Sequence, residues 1–284
     1  MFIDTSQVNG WIIEQLVNEV KKMALFIGDF KSKQLSKRTP ISVILPADNI
    51  DFLEDKDTTV KPPYKTLYLL HGMFGNNETF LYNTQIRAYA EQNNLAVVLP
   101  SCGNSFYINK PKAFEYFSIY VGEELVDFTR KLFPLSTKKE DTYIAGFSMG
   151  GYGAIRTGLL YNDTFGAIGG ISSGLITHRL NEAIDDYKHI IDSREFAESC
   201  FGDLDKVVGS DMDPMHIVDE LIANKKEIPR LFMTVGKEDF LRRENETFHD
   251  YLVKNNVPVS FKEYEGSHTW DFCNTHIKEF IEWL

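Results

Sequence analysis

Residues 142–156, TYIAGFSMGGYGAIR, constrain this chain more than any other stretch. A strand-like apolar run ends in Gly146-Phe147-Ser148-Met149-Gly150, and a segment of small residues able to form a helix follows at once. Strand, abrupt turn and helix make up the setting in which G-x-S-x-G presents a serine hydroxyl as a nucleophile rather than as an ordinary helix cap. Gly146 and Gly150 lack the side chains that would crowd so tight a turn. The fold must then bring a strand's carboxyl end and a helix's amino end together at Ser148.

The rest of the chain extends that arrangement. Strand-like runs recur at ALFIGDF, ISVILP, TLYLLHG, LAVVLP, TYIAGFS, FGAIGGIS, RLFMTVG and VSFKEY. The first two have no helix-sized spacer and predict a hairpin, whereas the later ones alternate with helical patterns such as RAYAEQ, YVGEELVDFTRKLFP, GGYGAIRTGLLY and THIKEFIEWL. The expected fold is α/β, a mostly parallel central sheet with antiparallel strands at its beginning and helices on both faces. Residues 172–226 are polar and too long for a minimal connection, so they predict a helical insertion placed to roof a pocket. Residues 1–22, with the amphipathic segment WIIEQLVNEV, are read as a helical N-terminal extension, and residues 23–284 as the catalytic domain. A docking helix, a homo-oligomer contact and a mis-assigned start are the three readings of the extension.

An unassisted serine hydroxyl is a poor nucleophile, so a base and an orienting carboxylate are required downstream. RLFMTVGKEDF places Asp239 just beyond one strand, with Glu238 as its neighbouring rival, and VSFKEYEGSHTWDF places His268 just beyond the next. The order Ser148, Asp239, His268 is the one expected on such a sheet. His268 would take the serine proton during attack on an acyl carbonyl and return it to the departing group, while Asp239 holds the imidazole tautomer. The negative charge that develops needs fixed N–H donors, and the Met73 and Met149 amides are the expected pair. His71 is read as orienting the Met73 loop. Phe74, Asn104, Ser105, Phe106, Tyr107 and Trp270 are the expected pocket residues, from loops that follow strands or, for Trp270, from just beyond His268.

Composition narrows the partners. A formal net charge of -11 disfavours a nucleic-acid backbone, whose binding rests on Lys and Arg neutralising phosphates. A small ester substrate suits such a chain better. Cys102, Cys200 and Cys273 are few and scattered, which suggests neither a disulfide framework nor a zinc site and points to reducing, cytoplasmic surroundings. No motif such as H-E-x-x-H indicates a metal. The N-terminus lacks the features of a secretory signal, and no apolar run reaches the length of a membrane span.

Side by side, LLHGMFGN, PSCGNSFY, FPLSTKKEDTYIAGFSMGGYGAIR, VGKEDF and GSHTWDF resemble the esterase D and tributyrin-esterase-like branch of the α/β-hydrolases. That branch is related to the S-formylglutathione hydrolases and to the feruloyl and acetyl-xylan esterases. The resemblance runs from about Met23 to Leu284. It implies a serine carboxylesterase acting on short-acyl esters through an acyl-enzyme, without a cofactor, with Ser148, Asp239 and His268 in the family's catalytic positions and Met73 at its oxyanion position. Feruloyl or acetyl-xylan esterase, S-formylglutathione hydrolase and a noncatalytic binding protein on the same scaffold are the alternatives. The HGMFGN loop departs from the threonine- and cysteine-containing loop of the formylglutathione enzymes, which disfavours the thioester. Residues 1–22 depart from the family's usual start.

Overall fold

All eight strand-like runs form strands of one sheet: β1 (Ala24–Ser32), β2 (Lys37–Leu45), β3 (Thr66–Leu70), β4 (Ala96–Pro100), β5 (Thr142–Phe147), β6 (Ala167–Ile171), β7 (Arg230–Gly236) and β8 (Val259–Tyr264). The computed structural model describes residues 24–47, 50–51, 56–57, 61–182, 190 and 193–284. The extension read over residues 1–22 lies outside the described residues. The strand order is β1-β2-β4-β3-β5-β6-β7-β8. β1 and β2 form the expected antiparallel hairpin, β2 joins β4 antiparallel, and every later pairing is parallel.

Strands buried on both faces read as continuous apolar runs, which is why Leu67 to Leu70 and Ala96 to Leu99 carry no polar alternation. Their side chains still divide by parity. Leu67 and Leu69 pack on one face with Val97, Ala145, Phe232 and the helix α7 (Trp270–Trp283). Tyr68 and Leu70 pack on the other with Val98, Ile144, Met233 and the helix α3 (Met149–Leu160). The other helices of at least seven residues among the described ones are α1 (Ile86–Gln92), α2 (Leu125–Leu132), α4 (Arg194–Phe201), α5 (Pro214–Ala223) and α6 (Arg242–Lys254). The helix expected over residues 120–134 begins as a π turn at Tyr120–Glu124, continues as α2 and stops at Leu132. A π turn takes up an extra residue and rotates the faces that follow, which leaves Leu132 exposed rather than inward.

The described residues of the insertion between β6 and β7 include helices joined by turns. Ser193 and Asp213 cap α4 and α5 by accepting from the Phe196 and Met215 amides, and Pro214 stands in the first turn of α5, where its missing N–H costs nothing. It is fastened to the elements around Ser148. Tyr152 of α3 donates to the Met212 carbonyl at 2.6 Å, and the buried Arg156 donates to the Asp211 carbonyl at 2.7 Å and carboxylate at 2.8 Å. Cys200 donates to the Asn104 carbonyl at 3.3 Å, so the insertion also holds the loop after β4.

Candidate active site

Ser148 joins β5 to α3 with φ 59° and ψ -122°, a backbone conformation that costs a non-glycine residue on the order of 1–3 kcal/mol. The surroundings impose it. The Ser148 amide donates to the Ile171 carbonyl at 3.0 Å, and its own carbonyl accepts from Gly151 at 2.9 Å and from Gly174 at 2.8 Å. The flanking glycines are sterically required, because a Cβ at Gly146 would lie 2.2 Å from the Gly150 carbonyl oxygen, and one at Gly150 would lie 2.1 Å from the Leu70 carbonyl oxygen.

The loops beyond β7 and β8 bring two further residues to the serine. His268 Nε2 lies 2.9 Å from Ser148 Oγ, and His268 Nδ1 lies 2.9 Å from Asp239 Oδ2 and 3.2 Å from Oδ1. Because a carboxylate only accepts, Nδ1 carries the imidazole proton and Nε2 is left to accept from the serine hydroxyl. The imidazole is also held sterically, by the rings of Phe147 at 4.6 Å and Phe240 at 4.7 Å. Burial pushes the Asp239 carboxyl up, but the hydrogen bonds it accepts from His268 and from the Leu241 amide more than offset this and hold it below the ordinary range. Glu238, the rival acid of the same turn, accepts from the Gly266 amide at 2.6 Å and so ties its loop to the one carrying His268.

Opposite the imidazole, Met149 is the first residue of α3, so its amide has no partner within the helix and lies at the positive end of the helix dipole. Met73 follows β3 in a turn closed by the Gly75 amide donating to the Gly72 carbonyl. His71 fixes that turn from beneath. Its Nδ1 donates to the Gly72 carbonyl at 2.7 Å, its Nε2 accepts from the Cys102 amide at 3.0 Å, and Tyr107 donates to its carbonyl at 2.8 Å. Burial lowers the imidazole from 6.5 to about 4, opposed by the bond to Gly72.

A neutral histidine of this kind couples folding to pH. The unfolded chain binds the proton below about 6.5 and the native one only below about 4, so the contribution is complete above 6.5 and is lost as pH falls through that window. The expected loss is on the order of 3 kcal/mol. Urea denaturation of wild type and His71→Gln at pH 7 and pH 4.5 measures it: the stability gap between them should narrow at the lower pH. An unchanged gap would remove His71 from the acid sensitivity.

The expected pocket residues divide. Phe74 is exposed, at 78%, and its amide donates to Asn104 Oδ1 at 2.8 Å. Asn104 therefore braces the Met73–Phe74 turn. Phe106 and Tyr107 are buried, and Ser105, buried as well, lines a groove together with Asn104, Lys37 and Phe117. The Phe106 ring joins Tyr152, Phe196 and Phe201, an apolar cluster that offers more burial than a wet loop, and Tyr107 is committed to His71. Trp270 opens α7 and packs against Phe80 and Phe147. Burial pushes the Cys102 thiol far up, which leaves it inert as a nucleophile.

Three contributors escaped sequence reasoning. Phe240 beside His268 carried no signal beyond adjacency to Asp239. Arg156 was detectable as a lone cation among the small and apolar residues of GGYGAIRTGLLY. Asn245 occupies the inward stripe Leu241, Asn245, Phe248, Leu252, where a polar residue implies a buried partner. Fully buried, it accepts from the Ser173 amide at 3.1 Å and donates to the Ser173 carbonyl at 2.8 Å, pinning the segment that binds the Ser148 carbonyl. Among the described residues no cluster of His, Cys, Asp or Glu is placed to hold a metal ion, and no helix is long and apolar enough to cross a membrane.

Known proteins share this architecture. Residues 32–282 match the family model named Esterase. An acetyl esterase of Caldicellulosiruptor saccharolyticus is 42% identical over 262 residues, which are 92% of this chain and 98% of that one. The fluorophosphonate-binding serine hydrolase F of Staphylococcus aureus, solved with substrate bound, superposes with a TM-score of 0.79 at 34% identity, covering 92% of this chain and 98% of that one. An S-formylglutathione hydrolase from Staphylococcus aureus, solved as apoenzyme, gives 0.78 at 35% identity with the same coverage. With the family model matching residues 32–282 and relatives at 34–42% identity covering nearly the whole chain, the chain belongs to the esterase family of α/β-hydrolases and is a hydrolase of carboxylic esters.

Proposed function

We propose that the enzyme removes short acyl groups, acetyl foremost, through a covalent ester on Ser148. The hydrogen-bonded sequence Ser148 Oγ, His268, Asp239 carries this reading. As Oγ attacks the carbonyl carbon, its proton passes to His268 Nε2 and the charge on the carbonyl oxygen is met by the Met73 and Met149 amides. Collapse breaks the bond to the alcohol oxygen, which leaves with the proton from Nε2. Water activated by the same imidazole then releases the carboxylic acid and restores the serine.

One observation favours a short acyl group: an acetyl esterase is 42% identical over nearly the whole chain. A thioester substrate is the second reading, favoured by the S-formylglutathione hydrolase at 35% identity. The free, buried thiols of Cys102, Cys200 and Cys273 suit a reducing compartment.

Steady-state kinetics on p-nitrophenyl acetate, p-nitrophenyl octanoate, methyl ferulate and S-formylglutathione test the assignment. The expected kcat/KM for the acetate exceeds that for the octanoate and the ferulate by at least about tenfold, about 1.4 kcal/mol of transition-state discrimination. A preference for S-formylglutathione of the same size would install the second reading, and a preference for octanoate or ferulate would sink the short-acyl one.

A further inference from the structure

The His268 imidazole touches two phenyl rings of opposite character. The Phe147 ring stacks on it at 4.6 Å, inclined by 24°, and belongs to the core, at 5% exposure. The Phe240 ring lies 4.7 Å from the same imidazole, inclined by 54°, and is 55% exposed. Phe240 stands in the turn after β7 between two buried residues. Asp239 faces inward to His268 and the Leu241 amide, and Leu241 enters the core, so the side chain between them is left at the surface.

A single exposed phenyl is ordinary on a protein surface. This one rests on the catalytic base. In the tetrahedral adduct on Ser148 the charged oxygen faces the amides proposed for it, those of Met73 and Met149. The departing oxygen faces His268 Nε2, which must come within hydrogen-bond reach to hand over the proton. The alcohol therefore leaves along the imidazole, and Phe240 is the exposed ring in contact with that imidazole. Phe147, nearly covered, has little surface to offer it.

The chemistry of the ring selects its partner. A phenyl group has no hydrogen-bonding atom, so a charged or polyhydroxylated alcohol gains little from it. An aromatic alcohol gains burial and the edge or offset contacts that aromatic pairs prefer. The charged residues nearest in sequence are engaged elsewhere: Glu238 accepts from the Gly266 amide, and Arg242 donates to Glu246 and Glu263. Phe240 has one rival role, since an aromatic ring beside an imidazole that becomes a cation can stabilise the charge. That role would act on every ester alike.

We propose that Phe240 is the platform on which the leaving group packs, and that it makes the enzyme prefer esters whose alcohol carries an aromatic ring. The preference concerns the alcohol and is compatible with a short acyl group. It rests on the ester-hydrolase reading of Ser148 and adds the class of alcohol that is released.

Benzyl acetate and ethyl acetate share the acyl group and release primary alcohols, so the ratio of their kcat/KM reads the contact with the alcohol and cancels effects on the imidazole. Wild type is expected to favour benzyl acetate by about tenfold, mainly through KM. Phe240→Ala should bring the ratio close to one, and Phe240→Tyr, which keeps the ring, should hold it near the wild-type value. Phe114→Ala, which removes a ring 67% exposed elsewhere, should leave it unchanged. A wild-type ratio near one, or a Phe240→Ala protein that loses both acetates in parallel, overturns the platform while leaving the ester-hydrolase reading intact. A parallel loss with a displaced pH profile would assign the ring to the imidazole instead. Failure of wild type on both acetates and on p-nitrophenyl acetate overturns the ester-hydrolase reading and the platform with it.

Discussion

Ser148→Ala is expected to lower kcat on p-nitrophenyl acetate by about 10⁵- to 10⁶-fold, the scale seen when a triad nucleophile is removed elsewhere. The substitution deletes one oxygen and the hydrogen bond it makes to His268 at 2.9 Å. It leaves the turn in place, because the carbonyl and amide bonds to Gly151, Gly174 and Ile171 belong to the backbone and the Cβ is retained. Serine and alanine meet the same steric cost at φ 59°, so the melting temperature should stay within a few degrees while activity disappears. Fluorophosphonate labelling should vanish with it. The residual rate is what the amides proposed for the oxyanion, Met73 and Met149, and substrate binding supply without the nucleophile. Activity within tenfold of wild type in a folded Ser148→Ala protein would place the nucleophile elsewhere.

How far the sequence foretold this site depends on which physical signal each part left. The strands were legible because burial on both faces forces unbroken apolar runs, and turn residues bound them. Gly146 and Gly150 were legible because the close approach of backbone oxygens leaves them no substitutes. Loops gave less. An aromatic residue on a loop looks the same in sequence whether it faces a pocket or a core, so Phe106 and Tyr107 read as pocket residues although both are buried. The packing partners that draw Phe106 inward, Phe196 and Phe201, lie some 90 residues later in the insertion, beyond the reach of any local pattern. The ion pair of Arg179 with Glu244 at 2.9 Å is harder still to foresee, since it joins two residues far apart in sequence.

Asp239→Asn should cost about 10⁴ in kcat, and the geometry specifies why. Asp239 Oδ1 accepts from the Leu241 amide at 2.8 Å, while Oδ2 is the oxygen nearer to His268 Nδ1, at 2.9 Å. In asparagine the carbonyl oxygen must stay on the Leu241 amide, because the NH₂ group placed there would set donor against donor. The NH₂ therefore takes the Oδ2 position and donates to Nδ1. The imidazole proton moves to Nε2, which then faces the serine hydroxyl as a donor and no longer serves as its base. Wild type avoids this because Asp239 is held ionised below the ordinary carboxylate range, so acid does not produce the same state until pH falls beneath that range. Glu238→Gln provides the contrast: the amide oxygen still accepts from Gly266, and activity should remain within a few-fold. Loss in the Glu238 variant and not in the Asp239 variant would exchange the roles of the two acids. Comparable losses in both would mean that the turn acts through its position rather than through one carboxylate on His268.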